Sequence, residues 1–247
     1  MEAEILSFEL KTQNSLVRWL LRIGGVLIIF HLLNLALGKP SWQLYRIFDV
    51  GAEANIPTWF SSLLLFFASL TAFQCSKKVS LKLDRALWFL IAGCLLIFSI
   101  DEIAMIHEHV FTVIREQLLP PKVQEAIVAH FKETKWPVVA APFVIVLGIF
   151  LVSSLKRLLK NSPQAAKLLL VGFGLVIGSA WGLELTENLM NEGALLWFWE
   201  LERVAEESLE ILGVIFIIKG LLAQRHVLGQ LENSHRTFKV KEELALR

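Results

Sequence analysis

The sequence predicts an all-α membrane protein, a polytopic bundle of about six transmembrane helices with both termini in the cytoplasm. Apolar residues fill 55% of the 247 positions, and the mean hydropathy is +0.59, which is more than one soluble core requires. These residues form six stretches near the roughly 20 residues that a helix needs to cross a bilayer core of ~30 Å. Lys and Arg gather in alternate loops, which indicates the orientation.

The predicted spans form a single domain, residues 1–223, and a charged cytoplasmic tail follows at 224–247. They lie near residues 16–37, 57–75, 86–106, 137–155, 168–190 and 205–223. Asn55 followed by Pro57 indicates a helix start, because the amide can cap the helix and the proline ring occupies a position whose N–H has no helical partner. We expect an interfacial or partly re-entrant loop at 38–56 and two short surface helices within 107–136.

Basic residues predict which side of the membrane each loop occupies. Loops 76–85 and 156–167, together with the tail, are rich in Lys and Arg and are therefore expected on the cytoplasmic side of a bacterial inner membrane. The formal net charge of +1 gives no bias toward nucleic acid. Membrane lipids are the expected partners, and the oligomeric state stays open. Cys75 and Cys94 lie in or beside apolar stretches and are predicted to be packing residues.

Carboxylates recur at a similar depth near the outer ends of three predicted helices. Asp101 and Glu102 come about 16 residues, or ~24 Å, into helix three, and Glu184 lies equally deep in helix five. Glu210 lies ~20 Å from the inner end of helix six. A charge at such depth requires a cavity, a partner or a metal. Since few basic residues are near, we expect bound cations or shared protons.

Helical spacing predicts which of these side chains share a face. Asp101 aligns with Glu108 and Glu102 with His109, while His107 points elsewhere. Helix five carries a polar stripe of Glu184, Glu187, Asn188 and Asn191. Helix six stacks Glu202, Glu206 and Glu210, with Glu207 to one side.

These positions give a candidate site with assigned roles. His109 and Glu102 are the candidate catalytic groups. The candidate metal ligands are the carboxylates Asp101, Glu108, Glu184, Glu187, Glu207 and Glu210. The other members of the polar cluster are Glu53, Asn55, His107, Asn188 and Glu206. Carboxylates with a His suit a divalent ion of Mn, Fe, Zn or Ca, and carboxylate–His sets on facing helices build di-metal sites in other bundles, although their Glu-x-x-His signature is absent here.

Three strings carry a resemblance to known membrane proteins. FDVGAEANIPTWFSS, SIDEIAMIHEH and EESLEILG resemble a set of uncharacterised bacterial multipass membrane proteins, over most of the chain. Glu53 with Asn55, and Asp101 and Glu102 with Met105, are similar to elements of the alkaline ceramidase type of intramembrane zinc hydrolases. The chain lacks that family's His before the Asp-Glu pair and its late His-x-x-x-His pair, and has Glu206 and Glu210 at a comparable spacing.

Three classes of function fit these observations. The first is a metal-dependent membrane enzyme that acts on a lipid-like substrate. The second is a cation or proton transporter that uses the same carboxylates, although the inner halves of helices two, three and five are almost wholly apolar. The third is a structural or assembly protein whose outer carboxylates are replaceable by Gln.

Overall fold

The computed structural model of the chain describes residues 2–131, 136–183, 185 and 196–245. All regular structure in these residues is helical, in nine α-helices and two π-helical segments. The helices are α1 (Glu2–Ala36), α2 (Trp42–Phe48), α3 (Ile56–Lys78), α4 (Lys82–Ala104), α5 (Ile106–Val113), α6 (Pro121–His130), α7 (Trp136–Leu158), α8 (Pro163–Ile177) and α9 (Leu196–Ala245). The π-helical segments Ile114–Leu118 and Gly178–Leu183 extend α5 and α8.

Six helical segments of the described chain are long and apolar enough to cross a membrane. They are Lys11–Ala36, Ile56–Lys78, Lys82–Ala104, Trp136–Leu158, Pro163–Leu183 and Phe198–Glu232. The predicted all-α fold and the six spans are therefore confirmed, and the chain is a multi-pass membrane protein. The last helix continues to Ala245, well beyond the predicted end at 223, because Glu, Lys, Arg and Leu in the tail are strong helix formers.

Helices α3 and α9 form the centre of the bundle. α3 packs between α4 and α9, and α9 also contacts α8 and α1. Buried residues make up 61% of the most apolar window of α3 and 56% of that of α9, against 22–28% in the other four spans. The helices at the periphery of the bundle expose large apolar side chains such as Phe89, Ile97 and Val146, as expected of a surface that faces lipid.

Glycines allow α8 and α9 to approach at backbone distance. A Cβ added to Gly172 would lie 2.7 Å from the carbonyl oxygen of Gly213, and one added to Gly213 would lie 2.8 Å from that of Gly172. Small residues commonly permit such close helix crossings in membranes. This contact fixes how α9 is rotated relative to α8.

The two ends of the bundle differ in charge. We call the end that carries loop 38–55 and helices α5 and α6 the acidic end, and the end that carries turns 79–81 and 159–162 the basic end. The acidic end is the predicted outer side, and the basic end is the predicted cytoplasmic side.

The start of α3 follows the sequence signal. The Asn55 side chain accepts a hydrogen bond from the Thr58 N–H (3.1 Å), and Pro57 lies in the first helical turn. The Asn55 amide also donates to the carbonyl oxygens of Asp49 and Ala52, at 2.6 Å each. This residue therefore both caps the helix and holds the preceding loop in shape.

Helix α4 ends at Ala104. The sequence analysis instead predicts a third span that ends near 106 and aligns side chains on one helical face as far as 109. Met105 adopts a left-handed backbone conformation (φ 47°), and α5 begins at Ile106. The predicted seven-residue alignment across 101–109 is therefore wrong, because it requires an unbroken helix. Asp101 accepts a hydrogen bond from the His107 N–H (2.7 Å) across the break, which supplies an acceptor for the first turn of α5.

Candidate functional site

Carboxylates from three separate segments converge at the acidic end. Glu53 belongs to the loop before α3, Glu102 to the last turn of α4, and Glu207 to α9. The charge of Glu53 acts on both Glu102 and Glu207, and that of Glu102 acts on Glu207. Helix α3 packs against both α4 and α9, which places the three segments beside one another. We call Glu53, Glu102 and Glu207 the carboxylate cluster.

Hydroxyl groups of α3 lie beside and below the cluster. The Ser61 hydroxyl lies near the Glu102 carboxyl group and interacts with it electrostatically. One residue along, Ser62 and Ser99 exchange hydrogen bonds: the Ser62 hydroxyl donates to the Ser99 carbonyl (2.7 Å) and the Ser99 hydroxyl to the Ser62 carbonyl (2.9 Å). Both of these serines are buried. The Ser62–Ser99 pair thus joins α3 to α4 immediately below the cluster.

The break at Met105 brings His107 toward the cluster. The Nδ1 atom of His107 lies 2.8 Å from Oδ2 of Asp101, and its ring packs edge-on against Trp136, with 4.7 Å between ring centroids. The charge of His107 acts on Glu53 and Glu102. The prediction that His107 points elsewhere is therefore wrong, because the turn at Met105 redirects it.

His109, the candidate catalytic His, has a different environment. It is exposed, and its Nδ1 atom pairs with the carbonyl oxygen of Met105 at 2.8 Å. The main electrostatic influences on Glu53 and Glu102 include His107. The assigned role of His109 stays a prediction, and His107 has the closer relation to the carboxylates.

Arg203 brings a permanent positive charge to the cluster. It lies one helical turn before Glu207 on α9 and acts on that carboxylate. Its side chain runs directly over Gly51, where an added Cβ would lie 1.6 Å from the Cδ atom of Arg203. Only a residue without a side chain leaves room for this crossing. The loop before α3 is therefore seated on α9 through the Gly51–Arg203 contact.

A buried histidine of α1 supports the same loop. The Val50 N–H donates to Nδ1 of His31 (3.3 Å), and Oδ1 of Asp49 lies 3.5 Å from the same nitrogen. The His31 side chain is fully buried. Oδ1 of Asp49 also accepts from the Gly51 N–H (3.2 Å). These bonds hold the backbone on which Glu53 is placed.

A second polar contact, which the sequence analysis missed, joins this loop region to α9. Nζ of Lys39 lies 2.8 Å from Oε1 of Glu200 and 4.2 Å from the ring centroid of Tyr45. The hydrogen bond to Glu200 raises the pKa of Lys39, and burial raises the pKa of the Tyr45 hydroxyl. No spacing rule could have paired residues so far apart in the chain.

Glu53 is the member of the cluster that lies outside the spans. Partial desolvation and, after it, the charge of Glu108 raise the pKa of Glu53. Both effects disfavour the ionised carboxylate. A proton, a metal ion or a cationic ligand bound to Glu53 would therefore stabilise this carboxyl group in its environment.

Helix α9 presents carboxylates on two sides. Glu206, Glu210 and Gly213 are separated by four and three residues, so they lie on one face of α9. Gly213 packs on α8. Glu207, predicted to lie to one side, interacts with Glu102 and Glu53. The predicted polar stripe of helix five, including Glu184, Glu187 and Asn188, lies outside the described residues.

An open depression lies beside the cluster at the membrane surface. Its volume is ≈ 460 Å³, and its lining is Arg46, Ile47, Glu53, Ala54, Asn55, Ile56 and Trp59. Trp59 and Ile56 are exposed apolar residues, whereas Arg46 and Glu53 carry charge. An amphiphile with a polar head and an apolar chain matches such a lining.

The described residues contain no ready-made metal site. No group of three or more His, Cys, Asp or Glu side chains in ranges 2–131, 136–183, 185 and 196–245 is arranged to hold a metal ion. A metal at the carboxylate cluster would need at least one further ligand, and the candidates Glu184 and Glu187 fall outside those ranges.

Comparison with known proteins identifies a family but no activity. A family model with the description "Domain of unknown function (DUF8692)" matches residues 20–224, which include all six candidate spans except residues 11–19 of the first and 225–232 of the last. No curated protein matches the chain, and no solved structure matches it.

Proposed function

The chain belongs to the DUF8692 family, and we propose that it is a membrane enzyme that acts on a lipid-like substrate at the outer face of a bacterial inner membrane. The observation that carries this proposal is the position of the carboxylate cluster, whose Glu53 also lines the open depression. Acid–base or metal-holding groups thus adjoin a cavity with both apolar and charged walls. Such cavities with a few convergent polar groups are the usual form of small-molecule sites.

The cluster has the groups that proton transfer requires. In the absence of a metal ion, Glu102, on which the charge of Glu53 acts and which itself acts on Glu207, is the proposed general acid or base, because carboxyl groups that share one site do not all ionise together. Asp101 holds the Nδ1 side of His107, an arrangement that orients the ring and stabilises its protonated form. Arg203 balances part of the negative charge on Glu207.

A divalent metal ion is the proposed cofactor, with Glu102 and Glu207 as ligands from the described residues and Glu184 or Glu187 completing the set. The ion would supply Lewis-acid activation of a carbonyl or phosphoryl group of the substrate. The Ser61 hydroxyl of α3 would then help to orient Glu102, as second-shell groups do at other metal sites.

The alternative of a cation or proton transporter has less support. Beneath the Ser62–Ser99 pair, the contact of α3, α4 and α9 is filled with buried apolar side chains such as Leu65, Leu95 and Ile218. Deeper hydroxyls are engaged locally: Ser69 donates to the Ala92 carbonyl and Thr71 to the Phe67 carbonyl, at 2.8 Å each. The described part of the bundle thus offers ions no polar route from the cluster to the basic end.

The proposal is tested on the full chain purified in detergent and then placed in liposomes. Metal content is measured by mass spectrometry for the wild type, Glu102→Gln, Glu207→Gln and the matched control Glu125→Gln, an exposed carboxylate on α6. The same four proteins are incubated with mixed phospholipid and sphingolipid liposomes, and the lipids are analysed for products. We expect about one metal per chain and product formation in the wild type and the control, and loss of both in the two cluster variants.

The outcomes separate the parts of the proposal. Lipid product without metal, lost in Glu102→Gln, retains an acid–base enzyme and rejects the cofactor. Equal metal content and equal lipid profiles in all four folded proteins reject the enzyme and leave a structural role for the carboxylates.

A further inference from the structure

A second open groove lies at the opposite, basic end of the bundle, between α3 and α4. Its volume is ≈ 720 Å³. Three cations line its mouth, Lys77, Lys82 and Arg85, and Phe73, Phe89 and Leu90 line its apolar part. We call this feature the basic groove. None of its residues belongs to the carboxylate cluster or to the depression beside it.

We propose that the basic groove binds the headgroup of an anionic phospholipid from the leaflet at this end of the protein. Clusters of Lys and Arg at the membrane surface, above an apolar wall, are where anionic headgroups bind between transmembrane helices. The groove is open toward the lipid rather than enclosed by protein, so the ligand can enter from the bilayer.

Among the described residues, the acids near the groove pair with other cations. The nearby Asp84 is held by Nε of Arg157 at 2.6 Å, and Glu232 lies 3.9 Å from the neighbouring Lys78. In the part of the chain that the structure describes, no carboxylate lies within ion-pair distance of Lys77, Lys82 or Arg85. An anionic ligand would therefore meet three cations with which no described carboxylate forms an ion pair.

The geometry separates a polar mouth from an apolar floor. Phe73 is four residues before Lys77 on α3, and Phe89 is seven residues after Lys82 on α4, so the rings lie ~6–10 Å deeper in the bilayer than the cations. The two rings meet edge-on across the helices, with 6.2 Å between their centroids. Phe89 is 60% exposed. A phosphate at the mouth thus places an acyl chain over these rings.

The conformations of the basic side chains suit this arrangement. Nζ of Lys77 lies 4.5 Å from the ring centroid of Phe73, a cation–π contact that holds the ammonium group beside the apolar part of the groove. Arg85 donates one N–H to the carbonyl oxygen of Val79 (3.2 Å), which leaves further guanidinium donors for a phosphate. The hydroxyl of Ser76 donates within α3, to the Phe73 carbonyl at 2.7 Å.

Native mass spectrometry of the full chain in detergent tests the proposal, with phosphatidylglycerol and phosphatidylcholine as the added probes. The test variant replaces Lys77, Lys82 and Arg85 with Gln. The matched control replaces Lys156, Lys160 and Lys167 with Gln, three exposed cations of the other turn at the same end. We expect phosphatidylglycerol to bind the wild type and the control with similar affinity and the test variant roughly a hundredfold more weakly, since each cation contributes about 1 kcal/mol.

A further variant and a competition experiment distinguish binding of the whole lipid from binding of phosphate alone. Phe89→Ala should weaken phosphatidylglycerol binding, whereas inorganic phosphate at millimolar concentration should not displace the lipid. The exposed single variant Lys82→Glu replaces the triple variant if that one does not fold. Equal binding by the test variant and the wild type, an equal loss in the control, or displacement by inorganic phosphate would each overturn the proposal.

Discussion

Gly51 is the residue that most directly determines how the loop between α2 and α3 packs against α9. The aliphatic part of the Arg203 side chain occupies the space where any side chain at position 51 would lie. The crossing holds the loop that carries Glu53 against the helix that carries Glu207. The sequence shows this glycine only as part of a polar loop, because the contact joins residues far apart in the chain.

We expect Gly51→Ala to lower the free energy of unfolding by about 1–3 kcal/mol, since the new Cβ must displace Arg203 from a packed position. Thermal unfolding in one detergent measures the effect. In an Arg203→Ala background the same substitution should cost less than half as much, because the clash is gone. Equal costs in the two backgrounds would show that Arg203 is not the group displaced.

The Lys39–Glu200 contact predicts a dependence of stability on alkaline pH. The contact raises the pKa of Lys39, so the folded chain holds this proton more tightly than the unfolded chain does. The stabilisation is complete below the ordinary Lys pKa of about 10.4 and is lost as the pH rises through the folded-state value.

The melting temperature of the wild type should therefore exceed that of Lys39→Gln at pH 9, and the difference should shrink as the pH rises above 10.4. The Lys39 side chain is more than one third exposed, at 37%, so the difference at pH 9 should be small. A difference that grows with pH would contradict the assigned pairing. Lys122→Gln, an exposed cation on α6, is the matched control.

Among the helices and turns, the break between α4 and α5 has the largest effect on which side chains reach the carboxylate cluster. Apolar and polar periodicity across DEIAMIHEH is compatible with one continuous helix, and Met105 is neither Gly nor Asn, the residues that usually mark a left-handed helix end. The Asp101–His107 hydrogen bonds support the turn from both its sides. The seven-residue spacing along one helix therefore predicted that His109 belongs to the site. The turn at Met105 instead brings His107 toward the carboxylate cluster.

The crossing of α8 and α9 gives a prediction with a control on the same helix. Gly172→Ala should lower the free energy of unfolding by about 1–3 kcal/mol, because its Cβ would lie 2.7 Å from the Gly213 carbonyl oxygen. Gly174→Ala meets no atom within 4 Å and should be neutral or stabilising by up to ~1 kcal/mol. Melting temperatures of the two variants check this, and equal losses would refute the close crossing.

For the whole molecule, the segregation of charge predicts that the basic end faces the cytoplasm. Single cysteines are introduced into a Cys75→Ala/Cys94→Ala background at two exposed positions, Ser80 at the basic end and Gln117 at the acidic end. A membrane-impermeant maleimide should label the Gln117→Cys protein in intact cells and the Ser80→Cys protein only after permeabilisation. The reverse pattern would invert the bundle and place the proposed site in the cytoplasm.

The number of spans, their approximate limits and the cap at Asn55 follow from the sequence, because hydropathy over about 20 residues and hydrogen bonding within one turn are local properties. The gathering of Glu53, Glu102 and Glu207, the approach of His107 and the Arg203–Gly51 crossing could be learned only from the packed helices. Their physical cause is helix rotation: each helix turns until its glycines and apolar residues fit their neighbours, as at Gly172 and Gly213, and that fit selects which carboxylates face one another.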